Sequence, residues 1–296
     1  MSNVPKLLLI DANNMAHRVY WAHKELSWKG THVGVLYGFL KQLVHLDKEY
    51  PDHFRVIVWD AGHKRRTEES ESAVESGLVP SGYKANRDHS GEDREIIFEQ
   101  MDELKEGLRL VRCLQVWKSD FEADDIINTY AKYAVRCGNE AVIVSSDKDF
   151  YQVLDDNVKI YDAMKKEVWS RERFEMEFGF HPKWWVDAGA IMGDKSDNIF
   201  GVDGWGPTYA CRYVKEHQSV DKIREFIAAK TGKLGKREQK FIDSTDVLDL
   251  ALSLKCMDMV KALPIPRDEK KDEEALKKYF LEWGFASLLK EARRLV

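Results

Sequence analysis

Acidic residues recur along this chain at positions where a fold could gather them. The run KLLLID ends in Asp11, RVIVWD ends in Asp60, and AVIVSSDKD runs into Asp147 and Asp149. The segment FEADD carries Glu122, Asp124 and Asp125, and GDKSDN places Asp194 and Asp197 three residues apart. Like charges held a few ångströms apart raise one another's pKa or demand a cation. An all-oxygen donor set without His or Cys suits Mg²⁺ or Mn²⁺. Two such ions about 4 Å apart can align the attacking water and the leaving oxygen of a phosphodiester. The chemistry these residue types point to is phosphodiester hydrolysis.

Each acid also has a structural reading. Asp11 or Asp60 could cap a helix that follows a strand. Ser119 and Glu122 fit a capping box, and Asp124 and Asp125 suit a first helical turn, where the helix dipole favours anions. Asp162, which ends VKIYD, has the form of a strand-end acid but no partner acid follows it, and it reads as structural. The recurrence at every other main strand end favours a shared site.

The elements that must position these groups are legible as alternating signals. Compact apolar runs at residues 6–10, 55–59, 114–117 and 141–145 read as strands. Val33, Leu36, Tyr37, Leu40, Leu43 and Val44 keep a helical rhythm, as does the stretch 122–137, closed by Gly138. Strands separated by helices imply an α/β fold with a central, mainly parallel sheet flanked by helices, whose strand ends share one ligand-binding edge. Residues 62–95 are polar and long for a connection, which marks a functional insertion. From about residue 165 the signals turn helical, residues 193–206 are rich in glycine and acids, and 273–296 read as one or two amphipathic helices. The expected division is an α/β core over 1–190, with the insertion 62–95, and a helical C-terminal region over 191–296.

The composition limits the alternatives. A chain of 296 residues with 44% hydrophobic and 33% charged residues reads as globular. Its apolar runs are too short to span a bilayer, and no secretory leader is evident. The four cysteines stand far apart without metal-ligand spacing, which fits a reducing cytoplasm. A net charge of −5 argues against a nucleic-acid partner unless the acids are concentrated at a metal.

LLLIDANNMAHR, VIVWD, YKANR, FEADDI, VSSDKDF and GDKSDNIFGVDGWG resemble, in order and spacing, the 5′-nuclease superfamily of flap endonucleases and 5′–3′ exonucleases. The likeness is greatest to stand-alone bacteriophage enzymes and to the 5′-nuclease domain of bacterial DNA polymerase I. It spans residues 7 to about 215. The resemblance implies a PIN-like/5′-nuclease core with a helical arch at 62–95 and a helix–three-turn–helix at 201–217. It assigns a catalytic metal to Asp11, Asp60, Asp124 and Asp147, with Glu122 and Asp125 nearby, and a second metal to Asp149, Asp194 and Asp197. Counting those nine acids out takes the net charge from −5 to +4.

In the arch, Tyr83 would stack on an unpaired base while Lys84 and Arg87, on one helical face, steady the scissile phosphate, with Arg65 and Arg66 as further phosphate contacts. Gly201, Gly204 and Gly206 match the family's duplex-gripping loop, which often holds K⁺. Pro207-Thr208-Tyr209 stands where a basic position is usual, leaving Thr208 to cap and donate, with Arg212, Lys215 or the run 230–240 to compensate. A solvated helical face is an equal reading of that run.

The function this implies is a two-metal, Mg²⁺-dependent 5′ nuclease acting on DNA, and on RNA in RNA–DNA hybrids, at 5′ ends and flap junctions. Its setting would be primer or flap removal in a bacterial or phage-infected cytoplasm. It would act as a monomer beside replication proteins such as single-strand-binding protein. The rivals are a PIN-like ribonuclease, which typically lacks both arch and duplex motif, and a catalytically silent nucleic-acid-binding protein, which needs no acids in its cleft. A sugar-phosphate phosphatase would need a D-x-D arrangement on the first strand.

Overall fold

Leu7, Leu8, Leu9 and Ile10 are almost wholly buried because the strand they form, β1 (Lys6–Asp11), lies inside a sheet covered on both faces. The computed structural model describes residues 5–87, 90–267 and 269–296. Alternation along β1 divides its side chains. Leu7 and Leu9 enter one apolar cluster and Leu8 and Ile10 the other.

Helix α1 (Ala12–Ala22) starts directly off β1, and a short hairpin, β2 (Ser27–Trp28) with β3 (Thr31–His32), leads into α2 (Gly34–Glu49). β4 (His53–Val58) pairs parallel with β1. Helices α3 (Lys64–Glu75) and α4 (Glu92–Gly107) precede β5 (Cys113–Val116), which pairs with β4. α5 (Ala123–Arg136) then leads to β6 (Ala141–Val144), parallel to β1 on its other side, and to β7 (Val158–Asp162) and β8 (Glu167–Trp169). The sheet order is β5-β4-β1-β6-β7-β8, parallel except for β8. The four expected strands and both expected helices are present. The β2–β3 hairpin, α1 and β8 carry too short or too polar a pattern to have been read.

The insertion 62–95, expected to form a helical arch, is helical over α3, which takes in the acid-rich stretch 68–75. Its inward residues are Arg66, Ser70 and Ala73, spaced i, i+4 and i+7. The stripe is helical but not apolar, so a hydrophobic count overlooks it. The connection that follows docks on the helical region: Tyr83 shares a small buried cluster with Ala190, Ile199, Ala251 and Leu254.

The C-terminal half comprises α6 (Arg171–Phe178), α7 (Trp185–Met192), α8 (Pro207–His217), α9 (Val220–Ala228), α10 (Lys236–Asp243) and α11 (Thr245–Lys255). The chain then returns to the other side of the sheet. α12 (Glu273–Glu282), the short 3-10 turn Ala286–Glu291 and α13 (Ala292–Leu295) place Leu276, Phe280, Leu288 and Leu295 in the cluster formed by Leu8, Ile10 and α2. No helix among the described residues is long and apolar enough to cross a membrane.

Candidate metal centre

Three strands deliver carboxylates to one edge. Asp11 ends β1, where its Oδ1 accepts from the Asn14 amide at 3.1 Å and its Oδ2 from the Ser145 hydroxyl at 3.0 Å. Asp60, two residues beyond β4, accepts from the Ala123 amide at 2.8 Å, and its own amide donates to Asn13 Oδ1 at 3.2 Å. Asp147, just past β6, accepts from the Asp149 amide at 2.8 Å. These acids line one cleft with Asn13, Asn14, His17, Lys84, Arg87, Arg94 and Phe98.

The crowding has an electrostatic cost. Burial, reinforced by the Asp60 charge, pushes the Asp11 carboxyl up to about 7. Burial likewise raises Asp60 and Asp147, and raises Asp124 well above the ordinary range. The neighbouring cations are engaged elsewhere: Lys84 on Glu122, Arg87 on Asp197, and Lys255 on Asp149 and Asp194. The site therefore has hard oxygen donors and too little positive charge, as a divalent-cation centre requires.

Asp149, Asp194 and Asp197 form a second group whose oxygens can lie within 4.8 Å of one another. Asp194 organises its own loop, its Oδ1 accepting from the Ser196 amide at 2.8 Å. Lys255 Nζ stands 2.8 Å from Asp149 and 2.5 Å from Asp194, while Arg87 reaches Asp197 at 2.5 Å. Burial pushes Asp149 up to about 6 against the opposing Lys255 charge. At Asp194 burial is outweighed by hydrogen bonds from Lys255 and Ser196, which hold the carboxyl at about 2. Lys255 was not identified from the sequence. Its signal is its register: Leu248, Ala251 and Lys255 share the buried face of α11.

Glu122 and Asp125, expected near a metal, sit against a guanidinium. Arg66, only 3% exposed, donates to Glu122 at 2.7 Å and to both oxygens of Asp125 at 2.9 Å. Asp125 also accepts from the Asp258 amide at 2.7 Å and from the Glu122 amide at 3.3 Å. The helix therefore starts at Glu122, with Asp125 reaching back to its amide, and not at Ser119. Asp124 is half-buried, with the guanidinium 3.8 Å away. Together with Glu122 and Asp125 it could still complete a group of metal-ligating size.

Arg65 and Arg66, expected at phosphates, need correction. Arg65 donates to Asp258 at 2.7 Å and to the Ser253 carbonyl at 3.0 Å, and Arg66 donates to the Leu254 carbonyl at 2.9 Å. Half-exposed Asp258 claims Arg65, buried Glu122 and Asp125 claim Arg66, and the C-terminal carbonyls of α11 bind both, so the pair ties α3 to α11.

Tyr83 is also corrected, from a stacking platform to a packed residue. It is 9% exposed, lies edge-on to His63, and donates to Glu122 at 3.1 Å. Lys84 and Arg87 do not share a helical face, because residues 83–86 form a turn in which Lys84 has φ 56°. The Lys84 amide donates to the Asp197 carbonyl at 2.8 Å, which locks this turn to the loop carrying the second acidic group.

The glycine-rich loop splits by role. A Cβ on Gly201 would lie 2.3 Å from the Gly193 amide nitrogen, so this pair allows two backbone segments to touch. Gly204 has φ 80° in open space, and Gly206 is the N-cap of α8. Thr208, expected to cap, is the second helical residue and makes no capping bond. Arg212 lies over Tyr209 and Tyr213 on exposed α8, with Lys215 further along. The run 230–240 is partly paired, Lys230 with Glu238, Lys240 with Asp203 and Arg237 with the Tyr209 hydroxyl.

Residues 6–179 match the family profile of the 5′–3′ exonuclease N-terminal resolvase-like domain, and residues 180–276 that of the 5′–3′ exonuclease C-terminal SAM fold. The chain is 29% identical to a 5′–3′ exonuclease of Aquifex aeolicus, across 98% of this chain and 96% of that protein. It is 32% identical to DNA polymerase I of Bacillus subtilis across 82% of this chain, which is 27% of the polymerase. The part matched is thus only about a quarter to a third of the DNA polymerase I relatives. In fold, the chain resembles the bacteriophage T5 D15 flap endonuclease, solved as a pseudo-enzyme–product complex with DNA and metal ions. The TM-score is 0.68 at 19% identity, covering 97% of each chain.

Proposed function

This chain belongs to the 5′–3′ exonuclease family, and we propose that it hydrolyses DNA at 5′ ends and flap junctions using two Mg²⁺ ions. The observation that carries the proposal is the under-neutralised trio of Asp11, Asp60 and Asp147 at the sheet edge, beside a second acidic group. Mn²⁺ would serve in place of Mg²⁺. RNA in RNA–DNA hybrids is a further substrate in this reading, and primer or flap removal during replication the setting, with single-strand-binding protein as a partner of the monomer. When bound, the divalent ions would supply an activated water and offset the charge building on the phosphate.

The chain's own residues divide the remaining work. Asp11, Asp60, Asp124 and Asp147 would hold the first ion, and Asp149, Asp194 and Asp197 the second. Lys84 and Arg87, resting on Glu122 and Asp197, face the cleft and transfer to the scissile phosphate when substrate enters. Arg94 and Phe98 extend the same wall and were missed in the sequence. The loop through Gly201, Gly204 and Gly206, with K⁺, meets the duplex backbone, assisted by Arg212 and Lys215. In this division residues 1–190 carry most of the chemistry, 191–296 add Asp194 and Asp197 and grip the duplex, and α12 and α13 complete the core.

The test is a 5′-flap duplex, a single strand and an RNA hairpin, each incubated with Mg²⁺ or EDTA, alongside Asp147→Ala. Flap cleavage near the junction, lost with EDTA and in the variant, is the expected result. Hairpin cleavage with no flap preference would favour the PIN-like ribonuclease reading. Binding without products in Mg²⁺ would favour a silent binding protein.

A further inference from the structure

The two acidic groups are neutralised in opposite ways. Asp11, Asp60 and Asp147 take hydrogen bonds from Asn14, Ser145, Ala123 and the Asp149 amide, none of which carries a charge. Asp149, Asp194 and Asp197 are met by two cations, Lys255 and Arg87. These two cations differ in freedom. The Arg87 side chain is 44% exposed on a turn and can leave for solvent or a phosphate. Lys255 is 6% exposed, its carbonyl accepts from Gln152 at 3.2 Å, and its ammonium lies on the Asp149 and Asp194 carboxylates.

We propose that Lys255 is the resident counter-cation of the second acidic group and competes with a divalent ion for it. The inference rests on the reading that these carboxylates hold metal. An ion seated among Asp149, Asp194 and Asp197 needs the oxygen lone pairs that the ammonium uses, so Lys255 must withdraw as the ion enters. In the first group, among the described residues, Asp11, Asp60 and Asp147 form no ion pair, and Asp124 has only Arg66, 3.8 Å away and already bound by Glu122 and Asp125. The two ions therefore bind unequally, one tightly in the absence of DNA and the other only at higher concentration. A substrate phosphate that draws Arg87 from Asp197 frees one of the three ligands and favours the second ion. Lys255 thus acts as a positioning residue that couples loading of the second ion to arrival of substrate.

The experiment is calorimetric titration of the full chain, free of DNA, with Mn²⁺, comparing the parent protein with Lys255→Met and Lys255→Arg. The parent should show one tight and one weak site. Lys255→Met should tighten the second site by about 10- to 100-fold, the scale on which groups flanking metal ligands act. Its first site should be unchanged, and Lys255→Arg should keep the second site weak. An unchanged second site in Lys255→Met, or equal tightening in Lys255→Arg, would overturn the proposal.

Should Lys255→Met fail to fold, Lys255→Gln takes its place. The parent chain offers an independent reading: acylation of Lys255 by an amine-reactive ester, followed by peptide mass spectrometry, should rise as Mn²⁺ fills the weak site. A constant rate would likewise overturn it. Absence of any Mn²⁺ binding would instead refute the metal-centre reading beneath it.

Discussion

Stripping the metal from this protein should make it less stable as pH rises, and Asp11→Asn should abolish much of that dependence. Burial, with the Asp60 charge beside it, pushes the Asp11 carboxyl up to about 7 in the folded chain, against an ordinary 3.8. A group whose pKa is raised by folding contributes stability that is fully present below its unfolded pKa. That stability is lost as pH climbs through the folded value. The difference corresponds to a ceiling of about 4 kcal/mol at roughly 1.4 kcal/mol per pKa unit. Because the cleft floor is reached by water, about 2–4 kcal/mol is the expected range.

The assay is urea unfolding of EDTA-treated protein between pH 4.5 and 8. Asn keeps the size of Asp and can still accept from the Asn14 amide, so any constant offset from altered hydrogen bonding is uninformative and the slope is the diagnostic. The parent should lose about 2–4 kcal/mol relative to Asp11→Asn over that window. Mg²⁺ should restore the parent at pH 8 and do much less for the variant. A pH-independent difference, or equal rescue by Mg²⁺, would refute the argument that Asp11 is held at an uncompensated site.

Other consequences can be checked in parallel. Arg66→Met leaves Glu122 and Asp125 buried without their main cation and should cost about 3–5 kcal/mol in denaturant unfolding. A cost below about 1 kcal/mol would place the guanidinium among surface pairs. Lys84→Ala should slow single-turnover flap cleavage by about 100-fold with little change in duplex affinity, as for a group acting on the transition state. Equal losses in both would make the lysine only an anchor. Gly201→Ala forces a Cβ to within 2.3 Å of the Gly193 nitrogen. It should destabilise by about 1–3 kcal/mol and shift the loop bearing Asp194 and Asp197, weakening metal binding measured by titration. Unaltered stability and metal affinity would show that the two backbones can separate freely.

What could be read in the sequence was whatever has a local signature. β1 and β4 announce themselves as short apolar runs, and an acid at the end of a parallel strand must lie at the ligand edge. That edge follows from chain order alone, so Asp11, Asp60 and Asp147 could be placed together without knowing a contact. Asp194 and Asp197, which no strand carries, were legible as an acid pair in a glycine-rich loop, and the resemblance gave them a second metal. The misses are side chains whose role is decided by a partner far away in the chain. Arg66 faces Asp125 across α3 and α5, Tyr83 packs on α11, and Lys255 meets Asp149 from the end of another helix. A lone lysine at a buried helical register, or an arginine in a polar helix, looks from the sequence like any solvent-facing charge. The local rule reads them as surface because surface is the commonest place for them.

The return of α12 and α13 to the sheet bears on how the protein is made. Leu276, Phe280 and Leu295 share a core with Leu8 and Ile10, and the Arg112 amide, just before β5, donates to the Leu295 carbonyl. Contacts spanning so many residues form late and slowly. On the ribosome, strands β1 and β4 will have emerged long before the residues that cover one of their faces exist. During that interval apolar surface stays open to water, to chaperones and to other nascent copies. Emergence of residues 273–296 should therefore set the moment at which the carboxylate edge becomes rigid enough to take up its ions.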